Sequence, residues 1–160
     1  MAQVRHGGFT FVEMLATLAI IAILTTICLP LAEVSSQRRK EEDLRAALRQ
    51  IRDGLDTYRR AFDDGHIKRT PGDSGYPKTL LALVDGVEDA QSPDGARLYF
   101  LRRLPREPVS GHAGDVAAAS TWGLRSYESP PDAPQPGKDV FDVYCRCEGI
   151  GFNGVPYREW

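Results

Sequence analysis

From Phe9 to Leu31 the chain carries one charged residue, Glu13, in an otherwise predominantly apolar run. A helix needs about 20 such residues to cross the hydrocarbon core of a bilayer, so the run predicts a membrane span. A carboxylate inside a span costs roughly 2.5–3.5 kcal/mol on insertion scales, which marks Glu13 as a residue kept for a function. A short leader precedes the run, basic at Arg5 and closing on the pair Gly7-Gly8. A secretory signal peptide is the plainer reading of this layout, and it fits poorly. Leu29-Pro30-Leu31-Ala32-Glu33 offers no small-x-small cleavage site, and the run exceeds the usual apolar core of about 7–15 residues. An uncleaved anchor fits the length but leaves Glu13 without a role.

The remaining residues, from Ala32 to Trp160, are enough for one small domain. A domain of this size buries a modest core and gains from a scaffold element. The formal charge of −2 gives no basis for nucleic-acid binding. Charges next to the span point the wrong way for an exported domain. Arg5 alone precedes it while Arg38, Arg39 and Lys40 follow, a bias that by itself would place the C-terminal side in the cytoplasm.

The span runs without a strong breaker into a second helical stretch. Leu44, Leu48, Ile51, Leu55, Tyr58 and Phe62 recur every three or four residues and form one stripe of an amphipathic helix. Opposite charges four apart, such as Glu41 with Arg45, Arg52 with Asp56 and Arg59 with Asp63, read as a solvated polar face. Asp63-Asp64-Gly65 closes the helix, Gly65 being suited to a left-handed cap. A single helix from Phe9 to Asp64 would be roughly 80 Å long, with a kink expected at Pro30.

Beyond Gly65 the chain is rich in loops. Pro77 predicts a short helix over Lys78–Val84 closed by Asp85-Gly86. Val87–Gly95 reads as polar loop and Leu98–Leu101 as a short extended piece. Thr121–Tyr127 and Val140–Cys147 read as strands. In the second, Phe141, Val143, Cys145 and Cys147 share one face. Four prolines between Glu128 and Lys138 make that connection a loop. Cys145 and Cys147 admit two readings: small apolar core residues, which we prefer, or a strained bridge, since i and i+2 on one strand face lie near the outer limit of disulfide reach. Their spacing from His66 and His112 matches no zinc pattern. No nucleophile stands in a recognisable catalytic setting and no phosphate loop is present, so the reading is of a non-enzyme.

Gly8 followed by Phe9-Thr10-Phe11-Val12-Glu13 and an apolar helix resembles the processing site of type IV pilins and type II secretion pseudopilins. Leu104-Pro105-Arg106-Glu107-Pro108, Trp122-Gly123 and Phe141-Asp142-Val143-Tyr144 look like the major pseudopilin of type II secretion. That family usually has aspartate where Glu107 stands, and its Pro-Trp-Gly is split here by an insertion before Trp122. The likeness is strong from Arg5 to about Ala61 and patchy beyond. It implies cleavage by prepilin peptidase between Gly8 and Phe9, N-methylation of Phe9, a filament-assembly role for Glu13, and a proline in the helix at the place of Pro30. Glu13 also lies within about one turn of the new terminus and could instead snorkel to headgroups.

The resemblance also implies a calcium site in a loop near the C-terminus. Here Glu148–Trp160 offers Glu148 and Glu159 alone, widely spaced, with Asp139 and Asp142 as distant additions. A calcium ion takes about six to eight oxygen ligands, so calcium is a weak expectation with ligands unknown. We expect an α+β fold in which a long N-terminal helix packs on a small C-terminal antiparallel sheet. The expected divisions are a leader over residues 1–8, a transmembrane and assembly helix over 9–31, and a periplasmic domain over 32–160. The expected role is a single-pass inner-membrane subunit that polymerises with itself into a type II secretion pseudopilus. Its expected partners are the peptidase, minor pseudopilins and inner-membrane assembly proteins. A type IV pilin, a minor pseudopilin and a membrane-anchored periplasmic binding module are the alternatives. The motif is more specific than the charge bias, so orientation follows the motif.

Overall fold

The computed structural model describes residues 10–111 and 116–160, without the side chains of residues 27–30. Helix α1 spans Phe11–Asp63. After it come α2 (Ala82–Asp85), strands β1 (Val87–Glu88) and β2 (Arg97–Leu98), a 3₁₀ turn over Ala118–Thr121, strands β3 (Trp122–Arg125) and β4 (Asp142–Cys145), and a 3₁₀ turn over Tyr157–Glu159. The fold is α+β, with a long apolar N-terminal helix and small antiparallel sheets. The chain divides into two compact units, one ending at Arg39 and one running from Lys40 to Trp160.

In the first unit every described side chain from Phe11 to Leu24 is exposed, Phe11 at 78 % and Ile23 at 63 %. A helical face this apolar on all sides needs a non-aqueous surrounding. Its hydroxyls are already satisfied within the helix. Thr17, Thr25 and Thr26 donate to the carbonyls of Met14, Ile21 and Ala22 at 2.9, 2.8 and 2.9 Å. That is the solution hydrocarbon demands, because lipid tails offer no partner. The helix continues through Pro30; the side chains of Cys28 and Pro30 lie outside those described.

In the second unit α1 supplies the core. Leu44, Leu48, Ile51 and Leu55 are 0–2 % exposed and Tyr58 is buried, as the stripe predicts. Phe62 is only partly buried and Ala47 joins the core instead. They share one cluster with Leu80, Leu83, Leu101, Trp122, Val140, Val143, Cys145 and Tyr157. The helix stops in a Schellman motif: Gly65 N–H bonds the Phe62 carbonyl at 3.1 Å and His66 N–H the Ala61 carbonyl at 2.9 Å, with Gly65 at φ +82°. Arg69 donates to the exposed Asp63 carbonyl at 2.8 Å.

Three loop-region expectations need correction. The short helix starts at Ala82, well after Lys78, because the Pro77 carbonyl is taken by Val140 N–H at 2.8 Å and Leu81 is reached through i→i+3 turns. Val87–Gly95 is not all loop. Val87 pairs with Leu98 and Glu88 with Arg97, a hairpin closed by the turn around Ser92 and Gly95. The sheet is two separate two-stranded ladders rather than one. In the second ladder Trp122 faces Cys145, Gly123 faces Tyr144, Leu124 faces Val143 and Arg125 faces Asp142.

Candidate functional site

Thr10 stands immediately before α1, and its hydroxyl accepts the Glu13 backbone N–H at 3.3 Å. This is the N-cap half of a capping box, with Glu13 at the third helical position. The carboxylate therefore sits in the first turn, where the helix dipole favours negative charge. It is solvent-exposed in the isolated chain and free to meet a cation supplied from outside. Thr10 was legible as Thr-x-x-Glu before an apolar run, a pattern the processing motif overshadows. Gly8 and Phe9, the predicted cleavage and methylation residues, lie outside the described residues, as does His112.

The motif residues of the second unit meet at one place. Trp122 is 2 % exposed, and its indole N–H donates to the Pro105 carbonyl at 2.9 Å. The Thr121 hydroxyl accepts the Glu107 N–H at 3.2 Å and donates to the Ala118 carbonyl at 2.7 Å. Buried Glu107 in turn accepts the N–H groups of Val109 and Ser110, closing the turn after Pro108. Glycine at 123 follows from its partner across the ladder: a Cβ there would lie 2.3 Å from the Tyr144 ring. The Leu104–Pro108 segment is thus clasped to β3, which explains why these short sequences, far apart in the chain, go together.

Cys145 and Cys147 form a disulfide, which overturns the preferred reading of two free core cysteines. β4 ends at Cys145, so Cys147 does not continue the extended strand and the Cα separation is 5.3 Å, inside the usual range for a bridge. Glu107, Cys145 and Cys147 place potential ligand atoms within 4.8 Å of one another. They do not make a metal centre as they stand. The sulfurs are bonded to each other, and the Glu107 oxygens are used by backbone N–H groups.

The acidic residues weighed for calcium are committed elsewhere. Burial pushes the Asp139 carboxyl up, but hydrogen bonds from Ser74, the Tyr127 N–H and Ser126 outweigh it and hold it below its ordinary value. Asp142 Oδ1 lies 2.8 Å from Arg52, and Oδ2 lies 3.9 Å from Arg125. Glu148 and Glu159 are exposed. These four do not converge as a cation site.

The charged face of α1 is where residue-by-residue reading misses most. Glu41 is 3 % exposed and accepts the Tyr157 hydroxyl at 2.9 Å and the Phe152 N–H at 3.0 Å. Arg52 turns to Asp142 rather than to Asp56. Arg59 with Asp63, at 2.9 Å, does form the expected surface pair. Spacing alone could not distinguish these cases, since all obey the same i,i+4 rule.

The prokaryotic N-terminal methylation motif matches residues 4–29. The chain carries that motif. It is also 24 % identical over 143 residues to the type II secretion system core protein G of Klebsiella michiganensis, an alignment covering 87 % of this chain and 92 % of that protein. No solved structure matches. The two findings agree with the resemblance drawn from Gly8–Glu13: the chain carries the methylation motif and is similar, over most of its length, to a type II secretion core protein. The motif match over residues 4–29 includes Glu13 and most of the apolar part of α1, while the longer alignment extends into the unit that holds Trp122 and Tyr144.

Proposed function

We propose that this chain is a structural subunit of a type II secretion pseudopilus. The observation that carries the reading is a methylation motif whose single carboxylate opens an apolar helical stretch exposed at every side chain from Phe11 to Thr26. Similarity to core protein G over most of both chains supports it. The subunit waits in the inner membrane through the apolar part of α1, with residues 32–160 in the periplasm. Prepilin peptidase cuts between Gly8 and Phe9, and the new Phe9 amine is methylated. On polymerisation Glu13 pairs with the amine of a neighbouring copy, since a buried carboxylate and a buried ammonium are each costly alone and tolerable together. Pro30 loosens the helix where it leaves the hydrocarbon. Minor pseudopilins and inner-membrane assembly proteins are its other partners, and its role is mechanical rather than catalytic.

Intact-mass measurement of membrane-extracted protein, joined to shearing of the producing cells, tests this. The mass should show loss of Met1–Gly8 and one added methyl, and sheared material should contain fibres of this chain. Cleavage near Ala32, or a processed chain that never forms fibres, would overturn the reading.

A further inference from the structure

Three side chains on one face of α1, Glu41, Arg45 and Arg52, converge on the last segment of the chain. Glu41 holds Phe152 and Tyr157. The Arg45 guanidinium lies 4.2 Å from the centre of the Trp160 ring, which also packs edge-on against Tyr157 at 5.0 Å. Arg52 makes the densest set: Nε to Asp142 Oδ1 at 2.8 Å, and Nη2 to the backbone oxygens of Val143 at 3.2 Å and Trp160 at 2.8 Å. A carboxylate with two backbone oxygens is the hard donor set that a calcium ion would take. Here a guanidinium already sits among those oxygens.

We propose that Arg52 is the resident cation of this segment, ordering Gly149–Trp160 in place of a bound divalent ion. The physical case rests on charge and shape. Guanidinium stays protonated at any physiological pH, and its planar fork meets several oxygens at once. Asp142 is neutralised from both sides, by Arg52 and more distantly by Arg125. A calcium ion at Asp142 would have to displace Arg52, and the exposed Glu148 and Glu159 do not supply the lost ligands. Among the described residues the only trio of metal-competent side chains is Glu107 with the two bridged cysteines. The inference stands apart from the filament reading, because it concerns how one subunit is ordered.

Hydrogen–deuterium exchange on the full chain in detergent micelles, read on peptides within Glu148–Trp160, decides it. Wild type should exchange equally in EDTA and in millimolar calcium chloride. Arg52→Ala should exchange at least about tenfold faster in this segment, given that hydrogen bonds to charged groups contribute about 1.5–3 kcal/mol. Protection of wild type that rises with calcium would overturn the proposal, and so would an Arg52→Ala variant with unchanged exchange. If Arg52→Ala does not fold, Arg52→Lys carries the test. It keeps the charge and loses the fork, so it should loosen the same segment to a smaller extent, insensitive to calcium; unchanged exchange there would sink the idea.

Discussion

A carboxylate in the first turn of a membrane helix lowers its own cost by lying near the dipole's positive end and by finding a cation. Glu13 has the first through its place in α1, next to the Thr10 cap. Among the described residues its side chain is exposed, so the second is what the proposed assembly would supply. Glu13→Ala should therefore leave processing and insertion intact while abolishing fibres. Insertion should become easier, since a term of roughly 2.5–3.5 kcal/mol is removed. Assembly should fail, since an amine buried without its partner costs about 3–5 kcal/mol at every subunit contact. Shearing of cells matched for membrane abundance measures this, and normal fibres from the variant would leave Glu13 as an interfacial residue only.

Helix α1 is two physical objects in one secondary-structure element. From Phe11 to Leu24, and again at Leu31, its described apolar side chains face outward; from Glu41 onward one stripe is sequestered and the rest is polar. Ile51, at 0 % exposure, sits in the middle of that stripe. Ile51→Ala should cost about 2–5 kcal/mol, the sum of lost transfer energy and the cavity left behind. Guanidinium titration of the full chain in detergent, followed by the fluorescence of Trp122 and Trp160, reports the unit concerned. An unchanged midpoint would place the stripe outside the folding core. Gly54 on the same helix is a weak helix former with a packing reason: a Cβ there would press on Leu101 at 3.1 Å.

For the unit from Lys40 to Trp160 as a whole, acid is a specific threat. Asp139 ties Ser126 and the Tyr127 backbone to the start of β4, and its carboxyl titrates below its ordinary value in the folded chain. A folded pKa below the unfolded one stabilises above the unfolded pKa, about 3.9, and that contribution is lost as pH falls through the folded pKa. Wild type should therefore exceed Asp139→Asn in denaturant midpoint at neutral pH, and the gap should close as the pH falls below about 4. A gap that stays constant with pH would mean that the carboxylate charge contributes nothing there. The disulfide acts on a smaller scale, since closing so short a loop constrains the unfolded chain by only about 1–2 kcal/mol.

The span, the α1 stripe and the Gly65 cap were readable from Phe9 to Gly65 because they depend on local period and local composition. So was the face shared by Val143 and Cys145, which alternation within β4 dictates. The β1–β2 hairpin escaped because two-residue strands carry too little alternation to stand out from a polar loop. The disulfide escaped because the end of β4 at Cys145, and not sequence spacing, sets the Cα separation. Arg52 and Glu41 show the limit most clearly. Each has an oppositely charged residue four positions away, so sequence assigns both to a solvated surface. Glu41 does meet Arg45 at 3.8 Å, but its hydrogen-bond partners Phe152 and Tyr157, like the Asp142 partner of Arg52, lie 90 to 116 residues further along the chain. Only the folding of Asp142–Trp160 onto α1 decides which helix charges face water and which hold the fold together.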